Sequence, residues 1–524
     1  MKRFLSLFLA AVMILSMCTC FTAQAASYKI GDLNGDGRIS ASDVLMLKRA
    51  LVGLKVENSE LTGDINRDGR VTVADLALLL RVLVGVYTIE QPDDENVPVS
   101  EYTVVYPQSH TDYELYAAQL LCDYVSDNCG VNLTMTDDSA APVDREILVG
   151  HTNRSESSVN VTFEKTQYLL KKDGEKIVLL SDGYMIGGAV GKLTYDCLSG
   201  SDIILDNIGS DNTLKEYTPI KATSAILMIG DGMGFNHVAY ADYYYQRNTE
   251  LEYNGFDATF MPNQGQSVTY ALSSLKNDGT YDKVITDSAA GATAMATGWK
   301  TQRRFLGKNV FGADVQNVRE LAYLAGAKTA VMSTEPLTGA TPSGFTVHNG
   351  DRGNADEIAA AQRALIDNGQ ITYMKGNTGD DMLSETRELL KAISTDSKNG
   401  FFAMIEEAYI DKAATPANLS DYDRNKLAYY MYRFDTAIEY AMTFAASRPD
   451  TVLIVTADHE SGGLRINGTI TTNDHTNQNV PIYAMGQGTE AFNGATVLNT
   501  EIAVFIAKIF GAESFGGQYS NIND

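Results

Sequence analysis

Four short apolar runs, each ending at an acid or a hydroxyl, constrain the fold of this chain most. Ala225–Gly230 runs into Asp231-Gly232-Met233-Gly234. Thr329–Ser333 is followed by Ala340-Thr341-Pro342. Phe401–Ile405 ends at Glu406, and Val452–Val455 leads to Asp458-His459-Glu460-Ser461-Gly462-Gly463. These runs read as strands of an open α/β sheet, in which the carboxyl ends of the strands are where ligands bind. Any one of these polar groups alone could be a capping or turn residue. Four strand ends offering Asp, Thr, Glu and Asp-His point to a polynuclear metal site.

A fifth segment, Thr286-Asp287-Ser288-Ala289-Ala290-Gly291 continuing to Gly298, sets one hydroxyl at the start of a small-residue helix. Thr286 or Asp287 can cap that helix. Ser288 then sits at the positive end of the helix dipole, and Gly291 and the alanines allow a neighbouring chain to approach closely. Such a hydroxyl can attack and hold a phosphoryl group. Read in isolation, the segment is only a buried alanine-rich helix with an N-terminal serine.

With 524 residues the chain is expected to hold several domains. Lys2 and Arg3, the apolar run Phe4–Met17 and Ala23-Gln24-Ala25 read as a signal peptide over residues 1–25, so the protein is expected outside the cell, attached to a scaffold or the cell surface. No other run approaches the length of a membrane span. A net charge of −25 argues against nucleic acid or anionic membrane as a partner. Cys18 and Cys20 leave with the signal; Cys197 could pair with Cys122 or Cys129, or all three could be buried thiols.

Residues 31–43 and 63–75 repeat one pattern, Gly-Asp-x-Asn-x-Asp-Gly-Arg, and each copy is followed by an apolar helix, Val44–Val52 and Leu76–Val84. The pattern matches an EF-hand-type calcium loop. Oxygen ligands fall at Asp32, Asn34 and Asp36, and at Asp64, Asn66 and Asp68. Arg38 and Arg70 offer backbone carbonyls, Ser40 and Thr72 stand at loop position 9, and Asp43 and Asp75 close the loops. The duplicated unit, residues 28–88, resembles a dockerin, which implies Ca2+ and a cohesin module of a scaffold protein as partner. Residues 89–100 read as an acidic linker. Residues 101–210 read as a small α/β domain with a helix at Tyr113–Tyr124, a strand at Glu146–Gly150 and a hairpin over Tyr168–Leu180. Gly150, Asn153-Arg154 and Met185-Ile186-Gly187-Gly188 give it a resemblance to the domain that precedes the barrel in some bacterial glycosidases, and it is assigned a packing or spacer role.

Over residues 221–512, Asp231-Gly232-Met233-Gly234, Asp287-Ser288-Ala289-Ala290, Ala340-Thr341-Pro342, Ile410-Asp411-Lys412 and Asp458-His459-Glu460 resemble, in order, the motifs of the alkaline phosphatase family. The resemblance implies an α/β fold with a central sheet flanked by helices over 221–524. It implies that Ser288 is the nucleophile and that Asp231, Asp458 and His459 hold the Zn2+ that activates it. Asp231, Thr341 and Glu406 would hold Mg2+; Asp411 and His475 would hold a second zinc on the leaving-group side. Arg352 would clamp phosphate, with Lys412 contacting it through water. Two positions depart from the pattern. Thr415 stands where the family usually has a histidine ligand, which leaves that zinc with Asp411 and His475, and Gly339 stands where bacterial relatives can have an acid. His237 and His348 adjoin the motifs without occupying ligand positions and are expected to be structural. The expected function is a secreted phosphate monoester hydrolase, with a homodimer left open. The alternatives are a catalytically weak or inactive phosphate-binding scaffold component and a phosphodiesterase of the same superfamily.

Overall fold

A computed structural model describes residues 30–517 apart from 35–37, 57–61, 67–69, 85, 87–95, 249–254 and 416–420. The signal segment, most of the linker, and Asp36 and Asp68 of the calcium loops lie outside the described residues. The chain divides into two compact units. One comprises residues up to Pro98 together with Leu198–Asn207; the other comprises Val99–Cys197 and Ile208–Asp524. Among the described residues no helix is long and apolar enough to cross a membrane.

In the first unit, helices α1 (Ala41–Leu51) and α2 (Val73–Leu83) follow the two loops. Each begins one turn earlier than its apolar run, because Ser40 and Thr72 cap it. The cap side chain accepts from the second helical N–H, while Asp43 or Asp75 reaches back to the cap N–H. Ile30, Leu33, Val44, Leu47, Ile65 and Leu79 form the core of this unit. The end of the segment read as linker, Asn96–Pro98, is a strand paired antiparallel with Asp202–Ile204, and Val97 is buried.

The second unit is built on an eight-stranded sheet. Its strands are β1 (Ser224–Gly230), β2 (Asn263–Val268), β3 (Lys328–Ser333), β4 (Tyr373–Lys375), β5 (Phe401–Glu407), β6 (Thr451–Thr456), β7 (Val480–Met485) and β8 (Thr496–Leu498), in the order β4-β3-β5-β1-β6-β7-β2-β8. From β4 to β6 the strands are parallel; β7 runs antiparallel to both neighbours. β1, β5 and β6 are buried along their whole length, as expected for strands covered on both faces. The four strands that the sequence marked are neighbours, and their carboxyl ends are level. Ile229 stands opposite both Glu406 and Thr456, and Ser333 stands opposite Glu406.

A six-stranded sheet in the same unit contains Thr103–Tyr106, Glu146–Val149 and the expected hairpin Gln167–Asp173/Lys176–Leu180. The helix Ile186–Asp196 beside it packs on a long helix, Asp421–Ser447. A Cβ on Gly187 would lie 2.3 Å from the Thr443 carbonyl oxygen, and one on Gly191 2.9 Å from that of Ser447. Arg154 is buried and forks onto Glu146 while donating to the Asp138 and Ala140 carbonyls. Gly187 and Arg154, both singled out in the sequence, are engaged in packing contacts. Cys122, Cys129 and Cys197 form no disulfide among the described residues.

Candidate active site

Helix α3 (Ser288–Thr297) is buried at every position. Of the two candidate caps, Asp287 takes the role, accepting from the Ala290 N–H at 3.1 Å. Gly291 is required by its neighbour, since a Cβ there would lie 2.8 Å from the Asp458 carbonyl oxygen. The loop after β6 therefore presses on the helix and sets Asp458 and His459 beside Ser288.

The Ser288 hydroxyl lies 3.2 Å from His459 Nε2. The same nitrogen is 3.3 Å from Asp231 Oδ1 and 3.3 Å from Asp458 Oδ2. The hydrogen bonds fix its tautomer. Ser461 donates its hydroxyl proton to Asp411, so at 3.3 Å it can only accept from the Nδ1–H of His459. Nε2 is left with its lone pair facing the carboxylates. Burial also pushes the His459 imidazole below its ordinary range, favouring the neutral ring. Burial first, then the charges of Asp458, Asp411 and Glu406, raises the Asp231 carboxyl well above the usual range; burial and Glu335 do the same to Glu406.

Asp231 Oδ1, Asp458 Oδ2, Thr341 Oγ1 and Glu406 Oε1 are buried without a hydrogen-bond partner among the described residues. A buried polar atom left unpaired costs about 1–3 kcal/mol, and more when charged. These oxygens belong to residues that the sequence nominated as ligands, so the donor set fits cations. Asp231, Asp458 and His459 bring ligand atoms within 4.8 Å of one another, as do Asp411, His459 and His475. His475 is similarly fixed: its Nδ1 lies 2.9 Å from the Thr286 carbonyl oxygen, leaving Nε2 3.6 Å from Asp411 Oδ1. Its ring stacks on that of His459 with centroids 3.6 Å apart. Thr415 does not replace the missing histidine, because its hydroxyl donates to the Asp411 carbonyl at 3.0 Å.

Arg352 Nη1 lies 3.5 Å from Asp287 Oδ2, one residue before Ser288. Lys412 is paired with Glu335. Sequence reasoning missed Glu335. A Cβ on Gly339 would lie 1.9 Å from Glu335 Oε1, so the carboxylate fills the space that the small residue at 339 leaves. Two further supports were also missed. Ser461 orients His459 and Asp411, and Arg433 forks onto Glu407 at 2.7 Å through both Nε and Nη2, fixing the strand end beside Glu406. His348 is structural, between the Gly307 carbonyl and Glu320. His237 accepts from the Gly234 N–H through Nδ1, while its buried Nε2 has no partner among the described residues.

In the first unit the two loops superpose in their bonding. Asp43 Oδ1 accepts from the N–H groups of Leu33 and Asn34, and Asp75 Oδ1 from those of Ile65 and Asn66. Each closing acid thereby ties the end of its loop to the start.

A family model described as alkaline phosphatase matches residues 222–381 and 368–471, and one described as dockerin type I domain matches residues 30–84. The segment 222–471 belongs to the alkaline phosphatase family. Residues 30–84 are a type I dockerin. The chain is 27% identical over 335 residues to alkaline phosphatase 4 of Bacillus subtilis, which covers 53% of this chain and 69% of the relative. It is 40% identical over 127 residues to the alkaline phosphatase of Escherichia coli, covering 24% of this chain and 26% of that one. Among solved structures, the alkaline phosphatase of the Antarctic bacterium TAB5 has 26% identity and a TM-score of 0.47, covering 56% of this chain and 98% of that chain. Residues 222–471 thus find their relatives among hydrolases of the phosphatase superfamily. Of the four orphaned oxygens, those of Asp231, Thr341 and Asp458 fall on the family motifs; Glu406, like the supports Glu335 and Arg433, lies outside them.

Proposed function

We propose that this chain is an exported phosphate monoester hydrolase that works through a phosphoserine at Ser288. The observation that carries this reading is the convergence of Ser288, Asp231 and Asp458 on one nitrogen, His459 Nε2, within 3.3 Å. In the first half-reaction the Ser288 oxygen gives up its proton and bonds to phosphorus, the ester P–O bond breaks, and the leaving oxygen takes up a proton and departs as the alcohol. In the second half-reaction a water oxygen bonds to phosphorus and the serine P–O bond breaks, releasing inorganic phosphate. Arg352 offers its planar fork to two phosphoryl oxygens, held toward the serine by Asp287. Lys412 adds positive charge from the side of Glu335.

Asp231, Asp458 and His459 would hold zinc, Asp411 and His475 a second zinc, and Asp231, Thr341 and Glu406 magnesium; the imidazole-carboxylate and all-oxygen sets suit these ions respectively. Bound there, such ions neutralise the clustered acids and stabilise charge on the attacking and leaving oxygens. The test is acid quenching during turnover of a 32P-labelled monoester. Label is expected on Ser288 and absent from Ser288→Ala; turnover without label on Ser288 refutes the reading.

The dockerin is proposed to carry the enzyme to a scaffold cohesin, with Ca2+ held by Asp32, Asn34, Asp36, Ser40 and Asp43 and by their counterparts Asp64, Asn66, Asp68, Thr72 and Asp75. Pull-down by a cohesin array, lost on chelation, tests this. Thr415, capping its own helix, favours a second reading in which the leaving-group site is weak and turnover slow. Comparing monoester with diester rates separates the monoesterase from the phosphodiesterase alternative.

A further inference from the structure

Gln302, Arg303, Arg304 and Phe305 form a turn closed by the Phe305 N–H on the Gln302 carbonyl at 3.3 Å. Arg304 takes the third position with φ 72°, left-handed backbone at a turn position that favours glycine or asparagine. A non-glycine residue held in this region points to a constraint imposed by its surroundings.

The constraint is visible on the main chain of the residue and on two nitrogens of its guanidinium. The Arg304 N–H donates to both Asp287 oxygens, at 3.2 and 3.1 Å. Its carbonyl accepts from the Arg352 N–H at 2.9 Å. Its guanidinium donates through Nε at 3.1 Å and Nη2 at 2.6 Å to Asp351 Oδ1. Asp351 also accepts from the Gly353 N–H at 2.7 Å, closing the turn that carries Arg352. Asp287 completes the ring by pairing with Arg352 at 3.5 Å. Glycine would adopt this backbone freely and keep both main-chain bonds. The arginine adds only the fork onto Asp351.

We infer that Arg304 is a positioning residue of the phosphate clamp, holding the Asp351-Arg352 turn in register with the cap of the Ser288 helix. The inference rests on the roles proposed above for Ser288 and Arg352. Removing the fork frees Asp351 and lets the Arg352 guanidinium drift from the place where it meets phosphate. Positioning errors of about 1 Å cost up to roughly a hundredfold, so a partial loss of register is expected to cost about tenfold.

The experiment uses the full chain and inorganic phosphate, with Kd from calorimetry and with KM, kcat and Tm measured alongside. Arg304→Gly and Asp351→Asn are each expected to raise the phosphate Kd and the ester KM about tenfold, with kcat within about twofold. Arg304→Lys is expected to recover part of the loss, since an ammonium can still pair with Asp351. Wild-type phosphate affinity in both Arg304→Gly and Asp351→Asn overturns the inference, as does a fall in Tm with Kd unmoved. Arg352→Ala separates the two levels. If it leaves phosphate binding intact, the clamp reading itself fails; if it abolishes binding while Arg304→Gly does not weaken it, only the positioning role fails.

Discussion

Replacing Gly291 by alanine sets two opposing terms against each other at the centre of the site. Within a helix, glycine to alanine normally stabilises by about 0.8–1.0 kcal/mol. Here the new methyl would lie 2.8 Å from the Asp458 carbonyl oxygen and 3.1 Å from its Cβ. Ordinary contact begins near 3.4 Å, so the carbonyl must retreat by 3.4 − 2.8, about 0.6 Å. Helix α3 is buried at all positions and cannot yield in its place. Overpacking of this kind costs about 1–3 kcal/mol. The sum is a protein between unchanged and about 2 kcal/mol less stable. Function should suffer more than stability, because Asp458 and His459 move with that backbone. With a loss of up to a hundredfold per ångström, the expected fall in kcat is about tenfold. Denaturant melts, zinc content after dialysis and turnover of an aryl phosphate read the three effects. A variant stabilised by the full helix-propensity gain, with wild-type zinc content and rate, would refute the claim that Gly291 sets the position of the ligand loop.

Three other perturbations follow from the same geometry. Glu335→Gln removes the partner of Lys412, whose side chain is 47% exposed, so the loss is limited to about 1 kcal/mol, or roughly fivefold in phosphate affinity. Because Glu335 also presses on Glu406, the chelated variant should melt at a higher temperature than chelated wild type, and no gain in a chelator melt counts against this. Thr415→His would bring the Asp411 and His475 set to the three protein ligands of an ordinary catalytic zinc site; zinc stoichiometry and the rate at limiting zinc should rise, and equality with wild type in both sinks the idea. The Glu320 hydrogen bond raises the pKa of His348, whose stabilising contribution is therefore complete below about pH 6.5 and lost as pH rises through the raised value. Glu320 is depressed through the same bond, so its share is present above its ordinary value and lost as pH falls. His348→Gln should flatten the decline in denaturant midpoint from pH 6 toward pH 9, and parallel slopes would contradict it.

Four of the candidate residues were legible because each follows an apolar strand or stands at a helix start, where a polar side chain breaks a visible pattern. Asp231, Glu406, Asp458 and Ser288 are of this kind. Glu335 was not, since its position depends on the loop between Ser333 and Gly339 folding the carboxylate back over the glycine. Arg433 lies in the middle of a long helix and meets Glu407 only in three dimensions. Arg304 carried one faint signal, a tight turn with no glycine where one was needed. In the fold, β2 escaped notice because Asn-Gln-Gly-Gln-Ser-Val lacks the apolar content of its neighbours, and it lies next to the β8 edge strand, with only Asn263 and Ser267 buried. The caps Ser40 and Thr72 were read as loop positions; the structure shows that they also begin the helices.

The level strand ends have a consequence for how the site comes into being. Residue 229 stands beside residues 406 and 456, so strands adjacent in the sheet are synthesised far apart in time. Asp231 exists long before Glu406, and Asp458, His459 and His475 come last. No partial chain ending before β6 can gather the three groups around Ser288, and the long loops that must close make this a slow step. The gathered centre therefore reports on one part of the fold: Asp231, Glu406 and Asp458 come together only where β5, β1 and β6 have paired.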